Sequence, residues 1–296
     1  MYHNFSDSSE ADSDSVTVSA ARSQFEYLQR HFHVLPLSRI VEQLRSGSPL
    51  DRRTVALTID DGRRNCYEFL FPLLKEFCFP ATFFVVSSFI RGEDWLWTDK
   101  VLWLSEQRGR PSELAPDKIE AFFGMLNQMR PEDRNARIEA IAAAMEVSVP
   151  TAPPIKYAPC SWGQLREMAN SELVEIGSHT VTHPILASVT DEECWQELTV
   201  SRTQIEEGLG REITSFCFPN GKPGDYRASQ LRQVKEAGYA NAVVARFGMA
   251  GKGVKLYELP RMGVSSKSDH LSFCKNVDGV EHYQAEFLAT LRHRTP

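Results

Sequence analysis

The apolar run Thr54-Val55-Ala56-Leu57-Thr58-Ile59 ends on Asp60-Asp61-Gly62. A continuous run of this kind reads as a strand buried on both faces, and two adjacent carboxylates at its mouth are costly there. Their repulsion raises the pKa of one or both unless a cation or an arginine compensates. Adjacent side chains of a regular strand point to opposite faces. One carboxylate can therefore hold an ion while its neighbour approaches a water only if the strand stops here, and Gly62 permits the sharp turn that stops it. The plainer reading is that Asp-Gly is a turn signal and nothing more.

Around this strand, strand-like and helix-like stretches alternate. Helices are predicted at Ala20 to Phe32, Leu37 to Leu44 and Asn65 to Phe77, and Ala81 to Val86 is a second buried strand. From Trp95 to Ile141 the pattern is helical and broken by Pro111, Pro116 and Pro131. We read about 92–155 as an insertion within a single domain of residues 1–296. Ser161 with Gln164 signals a capping box for a helix through Met168, and Thr190 with Glu193 another for a helix to about Leu209. Leu173 to Gly177, Thr214 to Phe218, Ala242 to Ala245 and Leu259 to Val264 read as further strands, with a helix from Ser229 to Ala237 stopped by Gly238. Repeated β-then-α units imply an α/β fold with a mostly parallel sheet, open or closed as a barrel.

Composition narrows the partners. The 296 residues suffice for a substantial core, and 42% hydrophobic with 24% charged content is ordinary for a globular protein. A net charge of -6 argues against nucleic acid as partner, which needs a basic stripe. No run approaches a membrane span. The start, Met1-Tyr2-His3-Asn4, lacks the basic and apolar regions of a signal peptide, so a cytoplasmic location is expected, with the cell envelope as the alternative if a leader precedes it. The six cysteines are scattered without a C-x-x-C, against a thiolate zinc site or a redox motif.

His179 and His183 are four residues apart in Ser178-His179-Thr180-Val181-Thr182-His183-Pro184. The β-branched residues between them and the proline after them favour a loop leaving a strand over a helix, and a loop can still curl both imidazoles around one ion. Two histidines and one carboxylate leave an open coordination position, the arrangement of a catalytic rather than a structural zinc site. Bound zinc lowers the pKa of a water there to roughly 7, so a neighbouring Asp can complete its deprotonation. Phe216-Cys217-Phe218-Pro219-Asn220-Gly221 ends another strand in a turn, where the Asn220 backbone N–H is a candidate oxyanion donor. Arg261, at the end of Leu259-Pro260-Arg261, is the candidate for holding Asp60 ionised. Trp95, Trp97 and Trp103 suit core packing better than a sugar platform.

Taken in order, Thr58-Ile59-Asp60-Asp61-Gly62, Gly177 to Pro184 and Phe218-Pro219-Asn220-Gly221 resemble the motifs of the polysaccharide deacetylases (NodB homology domain, carbohydrate esterase family 4). Pro80-Ala81-Thr82-Phe83-Phe84-Val85 and the amino-terminal Met1-Tyr2-His3 match as well, so the resemblance covers nearly the whole chain. It implies a distorted (β/α) barrel of seven or eight strands with a divalent metal at the strand carboxyl ends. It also implies removal of N-acetyl, sometimes O-acetyl, groups from a glycan or glycoconjugate. Asp61, His179 and His183 would then hold the metal, zinc ahead of Co, Ni, Mn or Fe, with Asp60 as general base. Two departures stand out. Ser215 to Pro219 contains no arginine, and Asn220 stands where many members carry a tyrosine. Leu291-Arg292-His293 matches the usual Leu-x-His of the general acid, yet no strand precedes it. A subgroup instead draws its acid from an amino-terminal Tyr-His, which makes His3 the candidate acid. Two other readings remain open: an amidohydrolase acting on a non-polymeric amide or lipid-linked sugar, and a non-catalytic glycan-binding module.

Overall fold

A computed structural model describes residues 1–7, 15–251, 253–264 and 269–280. Short β1 (Asn4–Ser6) pairs in parallel with β2 (Ser15–Thr17). Helix α1 (Val18–His31) follows at once, capped by Thr17, whose hydroxyl accepts from the Ala20 N–H, and it buries Ala21, Phe25 and Leu28 on one stripe. Strand β3 (His33–Val34), helix α2 (Leu37–Ser46) and strand β4 (Thr54–Val55) lead to β5 (Leu57–Ile59), which delivers the carboxylate pair.

The predicted helix from Asn65 starts as a π-helical turn, Cys66–Leu70, before becoming α3 (Phe71–Phe77). Pro72 gives the reason. It has no N–H for the Glu68 carbonyl, and its ring would crowd that carbonyl in an α-turn. The Phe71 N–H bonds Cys66 instead. Strand β6 (Ala81–Val85) is buried at all five positions and runs into α4 (Ser87–Arg91).

Three helices follow, α5 (Trp97–Glu106), α6 (Ile119–Leu126) and α7 (Pro131–Ala144). They share an apolar cluster of their own, in which Trp97, Val101, Phe122, Leu126, Ile138 and Ile141 are buried. Trp95, Leu96 and Tyr157 tie this segment to Val86 and Phe89. Helix α8 (Trp162–Asn170) carries the Ser161–Gln164 capping box, and β7 (Val174–Ser178) delivers His179. The long α9 (Asp191–Leu209) carries the Thr190–Glu193 box. Strand β8 (Ser215–Cys217), helix α10 (Ala228–Glu236), strand β9 (Asn241–Val243) and helix α11 (His270–Val277) complete the described elements.

The main sheet is five-stranded and parallel throughout, in the order β5-β6-β7-β8-β9. It curls, and helices cover its outer side. Its two edges are joined by main-chain bonds through residues 1–2 and 259–264. Tyr2 bridges Ile59, giving its N–H to Thr58 at 2.9 Å and accepting from Asp60 at 3.0 Å. At the other edge Leu259 bridges Val243, and Val264 N–H donates to Met1 at 2.9 Å. The result is the distorted (β/α) barrel class.

One expected strand is not formed. Leu259 to Val264 makes a single parallel bridge at Leu259. Pro260 has no N–H for a ladder, and Arg261 and Val264 send theirs to Arg246 and Met1. Because every main strand points the same way, Asp60 and Asp61, His179, and Phe218 to Asn220 all emerge at one end, where ligands of parallel α/β folds bind.

Candidate metal centre and active site

Four residues at and around the site turn away from their strands through a backbone that resists the turn. Asp61, Thr180, His183 and Asn220 have φ of 77°, 70°, 57° and 56°, the left-handed region that L-residues avoid. Such strain persists only where the surroundings over-determine it. Gly62, at φ 88°, follows Asp61, and a Cβ there would meet Ile90 at 2.9 Å, so the turn tolerates no side chain.

The histidine loop is held from three sides. Glu197 on α9 accepts from the N–H groups of Val181 and Thr182 at 2.6 and 3.0 Å and from the Thr182 hydroxyl at 2.6 Å. Thr180 Oγ1 accepts from His183 N–H at 3.0 Å. Ser87 and Ser88 N–H donate to the Thr180 and Val181 carbonyls, both at 3.1 Å.

His179 Nδ1 donates to the Cys217 carbonyl at 2.8 Å, which leaves the Nε2 lone pair facing inward. Nε2 of His179 and Nε2 of His183 each lie 3.7 Å from Oδ1 of Asp61. That spacing is too long for hydrogen bonds, yet it is about the separation of ligand atoms around one ion with bonds of roughly 2.0–2.2 Å. All three residues are buried, and their ligand atoms lie within 4.8 Å of one another. Protonation suits the same purpose. Burial pushes the His179 imidazole below its usual range, and burial with repulsion from His179 pushes His183 down to about 3, so both rings are neutral. Burial would raise Asp61, but the Arg63 guanidinium, first among the groups around it, outweighs that and holds the carboxyl below its usual range. Two neutral imidazoles and one carboxylate fit a divalent cation.

Asp60 faces a different set. Arg261 grips it bidentately, Nη1 to Oδ1 at 2.7 Å and Nη2 to Oδ2 at 2.8 Å, with both side chains buried. Burial alone would raise the Asp60 pKa. The Arg261 charge and its hydrogen bonds overcome that and hold the carboxyl well below the usual range. His3 Nε2 lies 3.7 Å from Asp60 Oδ2 and is partly open to solvent. Cys217 Sγ sits 3.5 Å from the same oxygen and 3.1 Å from Arg261 Nη2. Asp60, His179 and Cys217 could in outline form a second metal group. Arg261 closes it, since its guanidinium already occupies both Asp60 and the sulfur, and burial keeps the thiol protonated, its pKa raised well above the ordinary value.

Asn220 emerges beside this cluster. Its side chain donates to Asp225 at 2.6 Å, and among the described residues its backbone N–H has no partner. His293 lies outside the described residues. Trp95 and Trp97 are buried in packing, and Trp103 is half-buried against them.

Sequence reasoning missed four contributors. Arg63, buried, joins Asp61 to Asp99, and it immediately follows Gly62 like any turn residue. Asp99 and Trp97 belong to a segment that reads as mere insertion. Glu197 sits mid-helix, where an acidic residue ordinarily faces water. None carries a signal that a single sequence displays.

The family model for polysaccharide deacetylase matches residues 47–242, more than half of the chain. The match includes the Asp pair and both histidines but neither His3 nor Arg261. The poly-beta-1,6-N-acetyl-D-glucosamine N-deacetylase of Escherichia coli (strain K12) is 29% identical over 167 residues, 56% of this chain and 18% of the relative. This chain therefore spans about a fifth of that protein's length. Among solved structures, the Streptococcus pyogenes deacetylase PplD in complex with acetate superposes with a TM-score of 0.65 at 16% identity, covering 94% of this chain and 96% of that one. IcaB from Ammonifex degensii gives 0.63 at 18% identity, covering 94% of each. At these identities the structural likeness establishes the fold.

Proposed function

Given that this chain belongs to the polysaccharide deacetylase family, we propose that it is a metal-dependent hydrolase that removes N-acetyl groups from a glycan. The observation that carries the reading is the junction of two unlike carboxylates. Asp61 faces two neutral imidazoles, while Asp60, its neighbour in sequence, is held ionised by an arginine and faces the same space. A binding module would need neither the ion pair nor the strained turn that separates them. The glycan is drawn from the N-acetylglucosamine polymers, the substrate in the name of the Escherichia coli relative. The three-helix segment within about 92–155 is an insertion in the one deacetylase domain.

Asp61 Oδ1 and the Nε2 atoms of His179 and His183 would hold the ion, with zinc best suited to a mixed nitrogen and oxygen set. When bound, the ion supplies Lewis acidity toward the acetyl carbonyl and lowers the pKa of water beside it. Asp60, ionised, takes the proton from the attacking water. The Asn220 N–H offers a donor to the oxyanion that develops on the acetyl carbon's oxygen. His3, beside Asp60 and partly open to solvent, gives a proton to the departing sugar amine, which leaves poorly without one.

The test separates the two aspartates. With N-acetylglucosamine oligomers as substrate and metal content measured on the same sample, Asp60→Asn should retain about one ion per chain. It should lose turnover by about 10²–10⁴-fold, the scale of a missing base. Asp61→Asn should lose metal and turnover together. Wild-type protein that releases no acetate, or two variants that both bind metal and turn over normally, would overturn the assignment.

A further inference from the structure

The helix α5 reaches the ligand set at two separate points. Asp99, fully buried on its first turn, accepts from Arg63 Nη1 at 2.5 Å, and Arg63 Nε donates at 3.3 Å to Oδ2 of Asp61. Arg63 thus spans from the helix to the carboxylate and leaves Oδ1, the other oxygen, facing both histidines. Trp97, two residues earlier on the same helix, donates from Nε1 to the backbone carbonyl of His183 at 3.2 Å. Its ring is fixed by Arg134 of α7, whose guanidinium lies 4.5 Å from the ring centre. The carbonyl it holds belongs to a residue in the left-handed region, whose imidazole direction follows its backbone.

The charges make the same point. Arg63 places a cation beside a site meant for another cation, and it bonds a ligand that the ion needs. Asp99 neutralises that guanidinium and takes its shorter bond, leaving a long contact from Arg63 Nε to Asp61. Without Asp99, the guanidinium is free to swing fully onto Asp61 and compete for it. A segment present only to contact sugar would need neither of these bonds.

We propose that α5 is a working part of the metal centre. Asp99, acting through Arg63, and Trp97, acting through the His183 carbonyl, are positioning residues that fix the ligands Asp61 and His183. The proposal rests on the reading of Asp61, His179 and His183 as a metal site, and its test keeps the two apart. The affinity of the full chain for Zn²⁺ and Co²⁺ is measured by competition with a chromogenic chelator, together with the visible absorption spectrum of the Co²⁺ form. His183→Ala reports on the site itself. Equal affinity in wild type and His183→Ala would remove the metal site, whatever the other variants do.

With that control satisfied, Asp99→Asn should weaken metal binding by about 10–100-fold, the usual cost of losing an outer partner of a ligand. It should also alter the Co²⁺ spectrum, and excess metal should restore its turnover with KM unchanged. Trp97→Phe keeps an aromatic side chain, smaller by the N–H-bearing ring, and removes one hydrogen bond, so about a fivefold loss of affinity is expected. Affinity within twofold of wild type and an unchanged spectrum in Asp99→Asn would overturn the proposal. If Asp99→Asn yields no folded protein, Trp97→Phe decides. Its binding metal as wild type does would then remove α5 from the centre. A rise in KM with normal metal binding would show the segment to be a substrate contact only.

Discussion

Asp60 is buried against a bidentate arginine, with His3 close to one of its oxygens. The pair's value is in what it does to the proton. Burial pushes Asp60 toward the neutral acid, and Arg261 reverses that and holds it ionised. A carboxyl held below its unfolded value of about 3.9 contributes stability above that pH, and loses it as pH falls through the lower folded value. Arg261→Met removes the main counterweight to burial, so the Asp60 pKa rises and the stability it contributes shrinks. The acidic limb of the pH–kcat/KM profile should therefore move to higher pH. Stability should also fall by about 3–5 kcal/mol at neutral pH, the cost of stranding a buried charge. An unmoved acidic limb would take Arg261 out of the base's surroundings. His3 is tested differently. His3→Ala should lower kcat by about a hundredfold with metal retained, and deletion of residues 291–296 should leave activity intact. A silent His3→Ala with an inactive truncation would move the acid to the carboxyl end.

At the scale of elements, the precision of the site depends on how closely β6, β7 and β8 approach. Gly177 lies in β7, and a Cβ there would meet Phe84 at 2.6 Å and the Ser215 carbonyl at 2.8 Å. Those contacts come from the strands on either side, one of them backbone and the other a fully buried ring, so neither yields freely. Gly177→Ala is expected to cost about 1–3 kcal/mol, the scale of overpacking, in urea denaturation. It should also weaken metal binding, because His179 lies two residues on. A midpoint equal to wild type would show that the sheet can absorb the methyl. The elements also show what one sequence displays and what it hides. Capping boxes at Ser161 and Thr190 are local, two side chains and two N–H groups within four residues, and they can be read directly. The strand expected at Leu259 to Val264 has the right apolar pattern, but the pattern records burial and not where the N–H groups go. Arg63, Asp99 and Glu197 act through partners 36 or 16 residues away in sequence or through backbone, and no periodicity marks them.

The molecule as a whole brings its ligands from two strands, Asp61 from the end of β5 and the histidines from the end of β7, with β6 between them. An ion bound there ties both strands to the folded state and has no equivalent site in the unfolded chain. Stabilisation should follow RT ln(1 + [M]/Kd), about 2.7 kcal/mol at a hundredfold excess over Kd. Thermal melts with and without Zn²⁺ should show the gain in wild type and not in His179→Ala. An equal gain in both would place the ion elsewhere. Among the described residues no helix is long and apolar enough to cross a membrane. The overall class could be read from alternating units and ordered motifs, since each is a property of a short segment. The joining of the two sheet edges could not, because it depends on Tyr2 meeting Ile59 and Val264 meeting Met1.

That joining sets an order of events during synthesis. Asp60 and its arginine are 201 residues apart, and a ribosome adding about 5–20 residues per second takes about 10–40 s to cover that interval. Throughout it, a nascent chain can form helices and begin pairing strands, but it carries the Asp60 carboxylate without its counter-ion. Burying that carboxylate early would cost several kcal/mol, so the end of β5 stays hydrated until Arg261 emerges. The pairing that readies the base thus forms only after every proposed metal ligand has been made, and a ribosome that stalls between residues 184 and 260 releases a polypeptide with all of those ligands and no working base.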